Sequence, residues 1–272
     1  MSGPPAAPAP STWQVCASCG SEIPETDPHP RCPRCRGLLE VRHQPPAQGG
    51  SALRATFDAR WGVRRGVLAS GVWRYREAVL PTAGEHILSY PEGNTPLLAS
   101  APVARWAGAP ELLLKHEGQN PTGSFKDRGM TVGVTQARRV KARAVACAST
   151  GNTAAALAAY AALAGLPALV LVPKGQVALG KLAQALAYGA RTLLVRGNFD
   201  DCLELADQAS ERLGVYLLNS VNPFRLEARR PSCSSCCSNS AGSPPTGSWC
   251  PRATLATRRR SGRRWSKHGH GD

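Results

Sequence analysis

The sequence predicts an α/β domain with a mainly parallel sheet, preceded by a small cysteine-paired module, and three observations carry the prediction. Short apolar runs alternate with alanine-rich or amphipathic stretches from Glu85 to about Leu218. Four cysteines stand in two close pairs ahead of them. Hydrophobic residues make up 42% of the 272-residue chain and charged residues 19%, enough apolar surface for one or two ordinary cores.

Taken in order, residues 1–12 (MSGPPAAPAPST) are rich in Pro and Ala and read as a flexible leader. Residues 13–42 carry Cys16-x-x-Cys19 and Cys32-x-x-Cys35 separated by twelve residues, the spacing of a four-thiolate zinc ribbon. Gly20 and Gly37 give each knuckle a permissive backbone, and Pro33 stiffens the second. Two disulfides are the alternative. No basic start followed by an apolar core marks a secretory signal, so a cytoplasmic, reducing location is expected, which favours metal. A closed four-cysteine shell leaves no place for substrate, so zinc there would be structural, and His29 and His43 are expected in solvent. Residues 43–84 read as a linker (HQPPAQGGSA) and a helical connector around Trp61, Trp73 and Tyr75.

Residues 85–228 form the α/β region. Strands are expected in ELLLKHE, RAVACAS, PALVLVP, RTLLVRG and GVYLLNS, and helices in TVGVTQARRVK, NTAAALAAYAALAG, GKLAQALAYGA and DDCLELADQASERLG. Ala154 to Val172 is free of charge over a length that invites a membrane reading. Gly165 and Pro167 divide it instead into a helix ending near Ala164 and a buried strand from Ala168 to Val172, so no membrane partner is expected. Cys147 and Cys202 lie among apolar residues and read as core.

The run HEGQNPTGSFKDRG, from His116 to Gly129, follows a strand and precedes a helix. Asn-Pro-Thr-Gly fold the loop, Ser124 is placed to cap the helix, and Lys126 falls in its first turn. The positive end of a helix and burial both disfavour a charged amine, and a lowered lysine pKa is what attack on a carbonyl requires. A second strand-to-helix turn, Ser149-Thr150-Gly151-Asn152-Thr153, gathers hydroxyls, an amide and free N–H groups at one helix N-terminus. Taken alone it is also an ordinary cap.

These motifs resemble the fold type II pyridoxal-phosphate (PLP) enzymes, whose fold is tryptophan synthase β-like, and NPTGSFKDRG is most similar to the threonine synthase form. The resemblance implies that Lys126 binds PLP covalently and shuttles protons. It implies that Asn152 bonds the PLP phenolic oxygen and that Ser149, Thr150 and Thr153 hold the substrate carboxylate. Asn219-Ser220-Val221-Asn222-Pro223-Phe224-Arg225 is similar to a stretch whose Asn, Ser and Arg bind substrate phosphate, which assigns Asn219, Ser220 and Arg225. A solvent-facing Arg225 stays open as the alternative. Glu92-Gly93-Asn94-Thr95-Pro96-Leu97 resembles another family segment but receives no role. The implied reaction converts O-phospho-L-homoserine and water to L-threonine and phosphate, with a homodimer expected of a full-length form.

At Arg229 the composition changes. Residues 229–272 hold nine Lys or Arg and one acidic residue, +8 of the chain's formal +15, and lack Val, Ile, Phe, Tyr, Met, Glu and Gln. The family's glycine-rich loop for the PLP phosphate has no counterpart there, so the fold is expected to be incomplete. The tail is expected to be disordered and to arise from a reading frame shifted near Ala228 in a GC-rich gene; sequencing the DNA across codon 228 tests this, and an intact frame refutes it. Two rivals remain open: a PLP-dependent dehydratase-like enzyme, and a non-enzymatic zinc-ribbon module whose basic tail binds nucleic acid. Nucleic acid is not the expected partner.

Overall fold

The computed structural model describes residues 11–175 and 179–229, so the leader up to residue 10 and the basic tail from residue 230 lie outside the described residues. The chain opens with strands β1 (Thr12–Cys16), β2 (Glu22–Pro24) and β3 (Leu39–His43), which form an antiparallel sheet in the order β2-β1-β3. Helix α1 (Gly50–Ala59), several single helical turns and α2 (Arg76–Val79) follow. Next come β4 (Leu97–Ala99), α3 (Ala101–Trp106), β5 (Leu113–Lys115) and α4 (Lys126–Arg139). The remainder alternates: β6 (Ala144–Ala148), α5 (Asn152–Ala164), β7 (Ala168–Pro173), α6 (Leu179–Ala187), β8 (Arg191–Val195), α7 (Phe199–Leu213), β9 (Val215–Leu217) and α8 (Pro223–Glu227).

Strands β6 to β9 form one parallel sheet in the order β8-β7-β6-β9, with Val145 opposite Ala168 on one side and Tyr216 on the other. Alternation along β6 sends Val145 and Cys147 to one face, where they meet Met130 and Val134 of α4 and Leu157 and Tyr160 of α5. Ala146 and Ala148 point to the other face, against Cys202 and Ala206 of α7. Both faces are therefore covered, as parallel sheets require. The alanines of α5 let it lie between α4 and α6, and Gly165 ends it in the left-handed region at φ 67°. Asn198 and Asp201 start α7 with reciprocal side-chain caps.

The connector is less peripheral than its composition implies. Trp73, Tyr75, Val79 and Leu80 are buried together with Val41 of β3, Val132 of α4 and Phe224 of α8, and Trp73 Nε1 donates to Thr131 Oγ1 at 2.8 Å. Its aromatic residues join the cysteine module to the α/β region as one core, because large apolar side chains at a junction gain more by burial than by spacing two bodies apart. Polar contacts reinforce the junction. Glu25 accepts from both Nη atoms of Arg139 at 2.6 and 3.1 Å, and its carbonyl accepts from Gln136 Nε2 at 2.8 Å.

By contrast, β4 and β5 pair only with each other and leave Leu98, Leu113 and Leu114 exposed beside Trp106, which is 89% exposed. No helix among the described residues is long and apolar enough to cross a membrane.

Candidate active site

Lys126 is the first residue of α4, and the turn before it places it there. Gly123 donates to Asn120 O at 2.8 Å with φ at 79°, a conformation glycine adopts freely. Asp127 reaches back to accept the N–H of Thr122 at 2.7 Å and its hydroxyl. The N-cap is Phe125 rather than Ser124, yet Ser124 Oγ accepts the N–H of Lys126 at 3.2 Å and so satisfies an otherwise orphaned donor. The Lys126 amine is partly buried, 4.6 Å from the centre of the Phe125 ring, which Arg229 also faces at 5.3 Å. Burial, followed by the charges of Arg229 and Arg225, pushes Lys126 down to about 8. Roughly a tenth of it is then neutral at pH 7.

Ser149 to Gly151 carry the chain from β6 into α5. Ser149 Oγ accepts the N–H of Gly151 at 3.2 Å and shapes the turn. Thr150, Asn152 and Thr153 are partly buried, and among the described residues their side chains make no hydrogen bond. With Gly151 as N-cap, no side chain caps the first N–H groups of α5, which suits an anionic ligand. Asn219 ties this loop to the end of β9: its Oδ1 accepts from Ala148 N at 2.9 Å and its Nδ2 donates to Ala148 O at 3.1 Å. A second Nδ2 hydrogen remains for a ligand. Ser220, next along, is exposed.

Arg225 is 1% exposed, which excludes the solvent-facing alternative. Its Nη1 donates to Leu218 O at 2.6 Å while Nε and Nη2 have no partner among the described residues, and burial, followed by Arg229, lowers it to about 9. Its stem lies across α4 where side chains are missing: a Cβ on Gly133 would stand 2.9 Å from Arg225 Cγ and 2.6 Å from Leu218 Cδ2. The Ser149–Thr153 loop, Asn219 and Arg225 thus collect at the carboxyl ends of β6 and β9, and of these Arg225 lies within electrostatic reach of Lys126. That is where the strand order reverses, the usual ligand position in an open parallel sheet.

Sequence reasoning left out the groups that support these residues. Arg128 forks onto Glu117 at 2.8 and 2.9 Å; burial works against the Glu117 charge, but Arg128, Thr95 and Asn120 hold its carboxyl below the usual range. Glu92 is fully buried and accepts from Ser70, Ser89, the Tyr90 N–H and Tyr160. Gly93 donates to Asn120 Oδ1 at 2.9 Å, so the Glu92–Leu97 segment holds the lysine loop from behind. Lys181 of α6 donates to Thr122 O at 3.2 Å. Lys181 also meets Gln184 Oε1 of its own helix, but its link to the lysine loop is to a backbone carbonyl distant in the chain, which no sequence signal marks.

The Sγ atoms of Cys16, Cys19, Cys32 and Cys35 lie within 4.8 Å of one another. Gly20 supplies the left-handed turn of the first knuckle at φ 71°; in the second, Arg36 does so at φ 60°. Gly37 gives clearance, since a Cβ there would stand 2.7 Å from Ser18 Oγ and 3.0 Å from Cys16 Sγ. The N–H of Cys19 draws the Cys16 thiol down and the Ser21 hydroxyl draws Cys19 to about 6, whereas Cys35, against the pull of the Gly37 N–H, is pushed up to about 12 by Cys16 and Cys19. Cys147 and Cys202 are fully buried, and burial pushes both thiols up.

The chain is 46% identical over 215 residues to a threonine synthase of Methanosarcina acetivorans, covering 79% of this chain and 50% of that protein. Over 140 residues it is 55% identical to a threonine synthase of Synechocystis sp. and 54% identical to one of Mycobacterium tuberculosis, covering 51% of this chain and 37% and 39% of theirs. The chain spans about half the length of the first two relatives it matches. Among solved structures, Escherichia coli diaminopropionate ammonia lyase in apo form and maize serine racemase superpose with a TM-score of 0.51 each, at 20% and 21% identity. They cover 59% and 61% of this chain and 51% and 48% of theirs, a likeness of fold. The profile described as "Pyridoxal-phosphate dependent enzyme" matches residues 88–233, more than half of the sequence, and the chain belongs to that family.

Proposed function

We propose that this chain carries the lysine-bearing half of a threonine synthase, a PLP-dependent lyase that converts O-phospho-L-homoserine and water to L-threonine and phosphate. One observation carries the reading: Lys126 sits partly buried at the start of α4 with its amine lowered to about 8, within reach of Arg225 and Arg229. The names of the relatives support the substrate class. The residues present fit PLP on the side of its reactive ring: a neutralisable lysine, the amide of Asn152 and the uncapped α5 N-terminus. When bound, PLP stores the electron pair released at the substrate's α-carbon. Lys126 would take protons from the α and β carbons and return them at the α and γ carbons, with phosphate leaving from the γ carbon and the hydroxyl of water adding at the β carbon, and Asn152 would donate to the phenolic oxygen. Ser149, Thr150 and Thr153 hold the substrate carboxylate. Ser220, Arg225 and the remaining Asn219 hydrogen hold its phosphate, for which the Nε and Nη2 of Arg225, without partners among the described residues, are suited.

The cysteine module binds one structural zinc through Cys16, Cys19, Cys32 and Cys35. Tetrahedral thiolates around zinc stand about 3.8 Å apart, and the pairs Cys16–Cys35 and Cys19–Cys32 stand at 3.4 and 3.7 Å. The complete enzyme is a cytoplasmic homodimer.

The test is to incubate the 272-residue chain with PLP, reduce with borohydride and map the label. A pyridoxyl mass on the Lys126 peptide, absent in Lys126→Ala, is expected. A folded chain that takes up no label refutes the reading for this chain. In a full-length form, phosphate release from O-phospho-L-homoserine without ammonia release from threonine separates it from the dehydratase-like alternative.

A further inference from the structure

Asp127 follows Lys126 directly, yet no hydrogen bond or ion pair joins its carboxylate to the lysine amine. It is fully buried and commits its two oxygens to one residue, Thr122, whose N–H meets Oδ2 at 2.7 Å and whose hydroxyl meets Oδ1. Thr122 is the centre of the turn that delivers the chain into α4. That turn is tethered from other sides as well, by Gly93 on Asn120 and by Lys181 on Thr122 O. The tether from Asp127 closes the centre of the loop, Thr122, onto the first turn of the lysine's own helix, beside the bonds that Ser124 makes there. If it opens, Thr122 and Ser124 lose their burial, and Ser124 no longer fixes the Lys126 N–H at 3.2 Å.

We propose that Asp127 is a positioning residue: by clamping Thr122 it locks the Asn120–Ser124 turn and sets the direction and burial of the Lys126 amine. The inference rests on the reading of Lys126 as the cofactor lysine. It accounts for an acidic residue in a place where a general electrostatic role would be adverse, because a carboxylate aimed at Lys126 would hold the amine charged. The groups facing Asp127 are Thr122 from the loop, Glu92 from the segment before β4, Tyr160 of α5 and Lys181 of α6. Burial above all, then Glu92, lifts its carboxyl to about 6 against the opposing pull of Thr122 and Lys181. The clamp is therefore ionised at neutral pH and weakens as pH falls through 6.

The experiment reads Lys126 without its cofactor. The full chain and its Asp127→Ala and Asp127→Asn variants are acylated with acetic anhydride across pH 6 to 11, and the rate at Lys126 is followed by peptide mass spectrometry. Asn can accept from the Thr122 N–H and donate to its hydroxyl, so it should keep the apparent lysine value near that of the parent chain. Ala should return it toward its ordinary value, with about a tenfold loss of the pH 7 rate for every unit regained. An unchanged titration in Ala, whatever its melting temperature, overturns the proposal. So does an equal shift in Asn and Ala, which would assign the effect to charge. If the Ala variant is insoluble, Thr122→Val, which removes one of the two bonds, is read in the same way. PLP capture by the parent chain is scored separately: its failure removes the cofactor role of Lys126 and leaves the comparison of acylation rates intact.

Discussion

Removing Glu25 should loosen the cysteine module from the helix that carries Lys126 at its opposite end. The Glu25 and Arg139 side chains are 11% and 13% exposed and meet through two hydrogen bonds, so their pairing is largely withdrawn from water. Breaking a buried pair costs about 3–5 kcal/mol, because one charge stays buried without its partner. Arg139 keeps Gln136 Oε1 at 2.8 Å, which offsets part of that loss. The residual exposure lowers it further, so Glu25→Ala should destabilise by about 2 kcal/mol. The assay is urea unfolding at micromolar concentration of the parent chain, Glu25→Ala, Arg139→Ala and the double variant. The coupling energy should be about 1–2 kcal/mol and change little between low and high salt. A coupling below about 0.5 kcal/mol would be that of a surface pair. It would leave the docking to the apolar contact of Val41, Trp73 and Phe224 and to the remaining polar contacts, among them Gln136 on the Glu25 carbonyl and Arg36 on Glu211.

Four further outcomes are expected. Lys126→Met should raise stability at pH 7 by about 1 kcal/mol, after discounting the shift for partial exposure. The folded lysine value of about 8 lies below its ordinary 10.5, so the unfolded chain binds more protons between them; the gain should be full below pH 8 and fade by pH 10.5 in urea titrations. Gly133→Ala should destabilise by about 1–2 kcal/mol although alanine favours helices, because its Cβ meets Leu218 and Arg225; a stabilised variant in thermal melts would show that α8 yields easily. On the proposed zinc reading the parent chain should carry one zinc, and Cys32→Ser should lower that content and expose the module to proteolysis, with metal analysis and limited digestion as readouts. Leu114→Lys should reduce self-association in size-exclusion chromatography, since Leu98, Leu113 and Leu114 form an open apolar ribbon; an already monomeric parent chain would remove the premise.

The elements that alternate between sheet and helix were legible because both faces of a parallel sheet are apolar and its punctuation is chemical. Gly165 closes α5, Asn198 opens α7, and Val145 to Ala148 read as a buried strand. Lys126 and the Ser149–Thr153 loop were legible because each stands at a strand-to-helix junction. The helical character of the connector was legible but its burial was not, since the burial of Trp73 and Tyr75 depends on residues from β3, α4 and α8 that no local pattern announces. The same holds for Glu92, whose donors are spread from Ser70 to Tyr160, and for Lys181. Pairs formed across long stretches of chain leave no period in the sequence, whereas caps and turns do. The second knuckle shows a finer limit: Gly37 gives clearance from Ser18 Oγ and Cys16 Sγ, while Arg36 takes the left-handed backbone.

The electrostatics of the site explain why these features occur together. Arg229 and Arg225 lie close enough to lower the affinity of Lys126 for its proton, Arg229 does the same to Arg225, and Arg225 spends its bonded nitrogen on a carbonyl rather than a carboxylate. A fold that buries a guanidinium with Nε and Nη2 unsatisfied among the described residues gives up stability there. It gains a place where an anion is bound more strongly than at the surface, because the donors are already fixed and partly desolvated. A dianionic ligand at Arg225 would also reverse part of the depression of Lys126, since the repulsion that lowers it would be neutralised. On the proposed reading, phosphate bound at this end of β6 and β9 would therefore act on the lysine's proton as well as on its own binding. The clamp of Asp127 on Thr122 keeps the amine in the position where that influence is felt.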